Sequence, residues 1–179
     1  MPEITIRALE SEDIKYLRSI EHGYYTDYVW QMSLDMQSEK IQATFQRIRL
    51  PRQVFVSYPR KREMIIQDLD QSEAVLTAEL NNNLVGYINL RSDQHSGVAS
   101  ISDLIVSSPM RRQGIASGLM MAAMDLCTNR HFHTLILEVQ SKNDPAIRMA
   151  NKLGFNFCGF KDHYFPNQEM ALFFSRFTR

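Results

Sequence analysis

The residues best suited to chemistry are Arg111-Arg112-Gln113-Gly114-Ile115-Ala116, directly ahead of a long apolar-striped segment. The first turn of a helix presents N–H groups without intrahelical acceptors and carries about half a positive charge. Gly114 lets the main chain approach a ligand, small Ala116 and Ser117 leave the first turn unobstructed, and two arginines add charge-assisted donors. This combination suits a diphosphate. The string is neither a P-loop, lacking Gly-Lys-Ser/Thr, nor a Rossmann GxGxxG. Its plainer reading is a solvated basic turn before an ordinary helix. His22, His95, His131, His133 and His163 are scattered, and His131-Phe132-His133 is a poor metal pair, so no metal is expected. Cys127, on the apolar face of the long helix, and Cys158, in a short strand, read as buried thiols.

Rigid elements must hold that loop. Ile4, Ile6 and Ala8 alternate with polar residues, predicting a strand over 3–9. Ser11 is placed to cap a helix carrying Ile14, Leu17 and Ile20. A second helix is expected over about 34–48, with Leu34, Ile41, Phe45 and Ile48 on one side, followed by a strand at Gln53–Ser57. Ala74–Leu80 and Leu84–Arg91 flank an Asn81-Asn82-Asn83 turn, and Ser92–Gly97 leads into Val98–Val106, so three strands form an antiparallel meander. Ile115, Leu119, Ala122, Ala123, Leu126 and Cys127 then mark a helix of about 113–129, and Thr134–Gln140 a strand. Strand, helix and strand in succession predict a right-handed parallel crossover. Asp144-Pro145 starts a helix with the carboxylate at its cap, and Gly154 stops it. Phe155–Phe160 and Met170–Phe177 close the chain as strands. The fold class is mixed α/β, with a central sheet of about 6–7 strands in a single domain over 1–179.

Composition narrows the function. The chain has 179 residues, 44% of them hydrophobic, enough for a sizeable core. Lys plus Arg and Asp plus Glu number 20 each, leaving no global field to hold nucleic acid or an anionic membrane. Two cysteines are too few for a disulfide scaffold. Met1-Pro2-Glu3 lacks the basic and apolar regions of a signal peptide, and no apolar run nears the roughly 20 residues that span a bilayer. A cytoplasmic protein is expected.

The order of strand, RxxGxA turn, long helix, strand ending Leu137-Glu138-Val139, then Asn143 and Lys152-Leu153-Gly154-Phe155, resembles the GNAT superfamily of acyl-CoA-dependent N-acetyltransferases. The likeness is good over 74–160 and loose over 22–70. Asp162–Phe177 is faintly similar to the streptothricin and ribosomal-protein N-acetyltransferase branches. The resemblance implies acetyl-CoA as co-substrate. Leu104, Ile105 and Val106 would meet its pantetheine arm through their backbone. The N–H groups from Arg112 to Ser117, with Arg111 beside them, would hold the diphosphate, and Asn143 would hydrogen-bond the pantetheine amides. Gln113, Gly114, Ile115 and Ala116 belong to that loop, Ala116 replacing a frequent glycine.

Acetyl transfer to an amine also needs a base. Thr134, Ile136, Glu138 and Gln140 share one strand face, which places Glu138 to reach an acceptor amine; the alternative is a carboxylate paired with an arginine. Asp103, expected on a face with Ile101 and Ile105, is the second candidate, as base or substrate anchor. Many family members protonate the leaving thiolate with a tyrosine where this chain has Ala150. Tyr164 could replace it, or simply pack at a hairpin. The aromatic run containing Tyr25, Tyr28 and Trp30 would line the acceptor cleft or pack its loop onto the core. From Arg47 to Arg62 lie six basic residues and no acid, suited to an anionic ligand or to solvent. The resemblance implies a small-molecule amine or peptide N-terminus as acceptor, with a homodimer compatible. Its rivals are a non-catalytic acyl-CoA or partner binder, motivated by Ala150, and a nucleotide-phosphate-binding regulator.

Overall fold

The computed structural model describes residues 4–93 and 95–178. Its centre is a seven-stranded sheet in the order β1-β4-β5-β6-β7-β9-β8, where β1 is Thr5–Ala8, β4 Ala74–Leu80, β5 Asn83–Asp93, β6 Val98–Val106, β7 Thr134–Gln140, β8 Asn156–Lys161 and β9 Ala171–Phe177. The meander β4-β5-β6 forms as its turns predict, Asn81 and Asn82 supplying the positive φ that the first turn needs. β6 and β7 are the sheet's parallel pair, joined by the crossover helix α3, Ile115–Asn129.

Ile115, Leu119, Met120, Ala123 and Cys127 of α3 are buried with Ile88, Leu90, Leu135, Leu137 and Phe174, making the main core on what we call the back of the sheet. Helix α4, Asp144–Lys152, adds Ile147 and Ala150 and ends at Gly154, whose φ of 78° requires glycine. Asn143, rather than Asp144, caps α4, its side-chain oxygen accepting from the Ala146 N–H at 3.2 Å. The front of the sheet carries a smaller cluster, Leu17, Ile20, Ile65, Leu69, Tyr87 and Ile105. It packs under α1, only Ile14–Leu17 and preceded by a 3₁₀ turn at Ser11–Asp13, and α2, Arg62–Asp68, which periodicity does not predict. The Asp13 carboxylate bonds the Glu10 N–H at 2.8 Å, so the expected Ser11 cap is not the one formed.

The expected helix over 34–48 does not exist. Residues Tyr24–Met36 (β2) and Ile41–Val56 (β3) form a long two-stranded ribbon, with the Gln53–Ser57 strand as its final stretch. Trp30, Met32, Leu34 and Met36 alternate with polar residues, as do Ile41, Ala43 and Phe45, and this period of two overrides the sparser helical spacing. The ladder breaks between Thr26 and Tyr28, opposite Leu50–Gln53, where Pro51 has no N–H to donate.

Cys127 is buried, and burial pushes its thiol up to about 11. Cys158 is exposed, contrary to expectation, because β8 is the outermost strand and its ladder is irregular between Phe157 and Gly159. Among the described residues no helix is long and apolar enough to cross a membrane, and no group of histidine, cysteine and carboxylate could hold a metal.

His22 bridges the front core. Its Nδ1 lies 2.8 Å from the Ile20 carbonyl, so Nδ1 carries the proton and Nε2 accepts from the Tyr87 hydroxyl at 2.7 Å. Burial, the largest cause, holds its pKa below 6.5. The unfolded chain therefore takes up the proton first as pH falls. The stability contributed by neutral His22 is present above the unfolded value and lost as pH drops through it toward the folded one. Thermal unfolding of the wild type should shift down between pH 7 and 5, and His22→Gln should flatten that slope.

Candidate active site

The site begins where two parallel strands part. β6 and β7 pair from Val98↔Thr134 to Ile101↔Leu137 and no further, although β6 runs on to Val106 and β7 to Gln140. The β7-facing edge of β6 over Leu104, Ile105 and Val106 thus lies outside the β6–β7 ladder. β6 is also irregular: Asn89 pairs with Asp103 and Leu90 with Ile101, leaving Ser102 extra. The insertion flips the alternation. Ile101 joins the back core while Ile105 joins the front, so Asp103 shares its face with Ile105 alone and not with Ile101.

Beyond Val106 a 3₁₀ turn at Ser108–Met110 leads to the start of α3. Arg112 and Gly114 both have positive φ, 65° and 85°, and no side chain caps the helix. A Cβ placed on Gly114 would meet nothing within 4 Å, so the start of α3 is open on that side. Arg112 and Gln113 are exposed, Ile115 is buried in the core, and Ala116 and Ser117 are half-buried. Arg111 is turned inward. Its guanidinium donates to the carbonyls of Val106 at 2.9 Å and Gly23 at 2.8 Å, fixing the end of β6 against the start of β2. Burial lowers its pKa. It shapes the loop, with Nε and Nη2 committed to main-chain carbonyls. Gly114→Ala should lose about 1–2 kcal/mol through forced left-handed backbone. The methyl on the open side should also raise the KM for acetyl-CoA about tenfold, read from unfolding and steady-state rates.

Glu138 is half-buried on the front face of β7, just past the last β6–β7 pair, and the Tyr164 hydroxyl donates to its Oε2 at 2.8 Å. Burial first, and then the Glu138 carboxylate, pushes the Tyr164 phenol up to about 12. Tyr164 sits on the β8–β9 connection, whose turn closes through the Tyr164 N–H to the Glu169 carbonyl at 3.1 Å. Glu169 ties that turn to β7 through Gln140, and to Lys142 at 2.6 Å. Of the three residues singled out for proton transfer, Glu138 and Tyr164 are therefore in contact.

Asp103 is also on the front, but occupied. Its side chain is 0% exposed and accepts from Arg60 at 2.5 Å, Tyr58 at 3.0 Å, Asn89 at 3.2 Å and Ser102 at 3.2 Å. Three of these donors converge on Oδ2 and Tyr58 takes Oδ1, and the carboxylate has no exposed surface on which to meet an incoming amine, so its contacts are those of a structural clamp. Arg60 also reaches Asp68 at 2.5 Å, as does Arg91 at 2.7 Å. The network clamps the segment before α2 onto the sheet.

The aromatic run divides. Trp30 donates from its indole nitrogen to Asp144 at 3.1 Å, and Tyr28 lies under the Arg47 guanidinium at 3.4 Å while Arg47 grips Asp144 with two bonds of 2.7 and 2.9 Å. With the Trp30 N–H on the Ser141 carbonyl at 2.9 Å, these residues strap the ribbon across the end of β7 and onto α4. Tyr25 is 57% exposed, against Phe55 at 5.2 Å. Of the six basic residues in 47–62, Arg47 and Arg60 are thus committed to internal carboxylates. Sequence reasoning did not pair Arg47 with Asp144, or Tyr58 and Arg60 with Asp103; an arginine followed at long range by a buried acid leaves no periodic signal. Ala150 is fully buried in the back core, and its carbonyl takes the N–H groups of Leu153 and Phe155.

Residues 39–155 match the model of the acetyltransferase (GNAT) family. The chain is 34% identical over 104 residues to the streptothricin acetyltransferase of Escherichia coli, covering 58% of this chain and 59% of that protein; it thus spans less than two thirds of the length of this curated relative. It superposes on the crystal structure of nourseothricin acetyltransferase with a TM-score of 0.83 at 19% identity, covering 98% of this chain and 99% of that one. A Bacillus anthracis protein solved in complex with acetyl coenzyme A gives 0.75 at 20% identity, covering 98% and 99%. With the family model matched across the meander, the α3 loop and the crossover, the chain belongs to the GNAT family of acetyltransferases.

Proposed function

We infer that the protein transfers an acetyl group from acetyl-CoA to a primary amine by direct attack of the bound amine on the thioester. The observation that carries this reading is the parted seam between β6 and β7, with the uncapped start of α3 beyond its end and Glu138 on its front face. Leu104, Ile105 and Val106 offer main-chain partners to the pantetheine arm, and the N–H groups from Arg112 to Ser117 hold the diphosphate. Asn143 spends its side-chain oxygen on the α4 cap, so its amide nitrogen is the group left for the arm. The co-substrate supplies an activated acyl carbon. Main-chain N–H groups on the free edge of β6 are the donors for charge developing on its oxygen.

Glu138 takes the proton from the ammonium. Tyr164 keeps its own, committed to Glu138 and pushed up to about 12, so the CoA sulfur leaves as a thiolate and takes the second proton of the attacking nitrogen as the tetrahedral adduct collapses to the amide. The part of Tyr164 is to hold the Glu138 carboxylate in one orientation, which makes it a positioning residue rather than the thiolate's acid. Tyr164→Phe should lower kcat about tenfold and leave the KM for acetyl-CoA unchanged. The acceptor is a small-molecule amine, as the streptothricin-acetylating relative supports, or a peptide N-terminus, and Tyr25 is the aromatic left free to meet it.

Calorimetry against acetyl-CoA, CoA and ATP, followed by thiol release across a panel of amines, tests the reading. Binding of acetyl-CoA with amine-dependent thiol release is expected. A preference for ATP, or binding without release for any amine, would overturn it.

A further inference from the structure

Beyond Phe45 the ribbon carries an apolar face that nothing else in the described chain covers. Residues directly opposite in the ladder share a face, so Met32↔Phe45, Leu34↔Ala43 and Met36↔Ile41 form one stripe, while Ser33, Asp35, Gln42 and Thr44 face away from it. Leu34 is 48% exposed, Met36 68% and Ile41 71%. At its root the stripe meets β8: Phe45 packs on Phe157 at 5.3 Å and on Phe160 at 5.1 Å. β8 is the outermost strand of the sheet, and Phe157 is itself 48% exposed. Residues Asn156–Lys161 hold no proline and a single charge, at the end, so the irregularity between Phe157 and Gly159 is the main feature that blunts this edge.

We propose that this arm and this edge form a homodimer interface, with a second copy of the chain as the occupant. A two-stranded ribbon is at best marginally stable alone, so its apolar face calls for a wall. Each copy supplies both parts, a projecting arm and an apolar wall beside a free strand edge. A twofold axis lets each arm lie against the wall of the other copy in one self-complementary contact. Acids and bases balance at 20 each, so no net charge drives two copies apart. The four side chains Leu34, Met36, Ile41 and Phe157 expose on the order of 450 Å² per copy, a patch of the size that marks contact sites. From both copies they would supply roughly 900 Å² of the about 1,200–2,000 Å² of a stable interface.

Sedimentation equilibrium at micromolar protein tests this. The wild type should be a dimer. The double variant Met36→Lys/Ile41→Lys, changed at two exposed sites, should keep the folded circular-dichroism spectrum, dissociate at least 100-fold more readily and lose the concentration dependence of the wild-type Tm. Phe157→Lys attacks the same contact from the wall and should do likewise. Cys158, exposed on β8, provides a second readout. A maleimide should label Cys158 more slowly in the wild type than in the arm variant, whose wall is left uncovered, and equal rates would overturn the proposal. A monomeric wild type at tens of micromolar, or a dimer that survives both the arm and the wall substitutions, would overturn the proposal.

Discussion

Glu138→Gln should lower kcat/KM for the acceptor amine by about 10²–10⁴-fold, the range a positioned general base contributes. The isosteric amide keeps an oxygen that can accept from Tyr164, so the fold and the β8–β9 turn should persist. The KM for acetyl-CoA should also hold, because the coenzyme's partners lie on β6 and the start of α3. At neutral pH an alkylammonium with a pKa near 10.4 is almost wholly protonated. A variant without the carboxylate must therefore wait for the rare free amine. Its rate should climb steeply toward alkaline pH, narrowing the gap to wild type. A uniform loss at every pH would assign Glu138 to binding instead, and unchanged turnover would remove it from the mechanism. The alternative of a carboxylate tied to an arginine is not what its contacts show, since among the described residues its hydrogen-bond partner is the Tyr164 phenol.

Much of this site could be read from the sequence because local signals carried it. The period-two alternation of 134–140 puts Glu138 on the front, opposite Leu135, Leu137 and Val139 in the back core. The glycine at 114, read as a place where the main chain can approach a ligand, takes a left-handed conformation before α3. Signals failed where tertiary partners decide. Leu34, Ile41, Phe45 and Ile48 fit a helix, yet each belongs to an alternating run whose partner strand is its own hairpin neighbour. The extra residue Ser102 moves Asp103 off the face that simple alternation assigns, and no residue type in Ser100-Ile101-Ser102-Asp103 marks a bulge. Trp30 and Tyr28 look like pocket wall by composition. Their roles follow from Arg47 and Asp144, 97 residues apart in the chain and bidentate in space.

Asp103→Asn is the second large effect, and it separates structure from catalysis. The substitution leaves the Arg60 guanidinium, whose side chain is only 11% exposed, with its charge compensated by the half-open Asp68 alone. Breaking a buried pair from one side costs about 3–5 kcal/mol. In a chain of this length that corresponds to a fall in Tm of roughly 6–20 °C. Replacing both partners, Asp103→Leu with Arg60→Met, removes the stranded charge and should recover part of the loss. Recovery should stop short of wild type, since the Tyr58 hydroxyl and Asn89 amide still point at the vacated acceptor. Activity assayed well below the new Tm distinguishes the roles. A carboxylate that only clamps the 57–71 segment onto the sheet should leave kcat within a few-fold of wild type in the double variant. A base would be lost entirely in both variants, with or without a change in melting, and that result would return Asp103 to the chemistry.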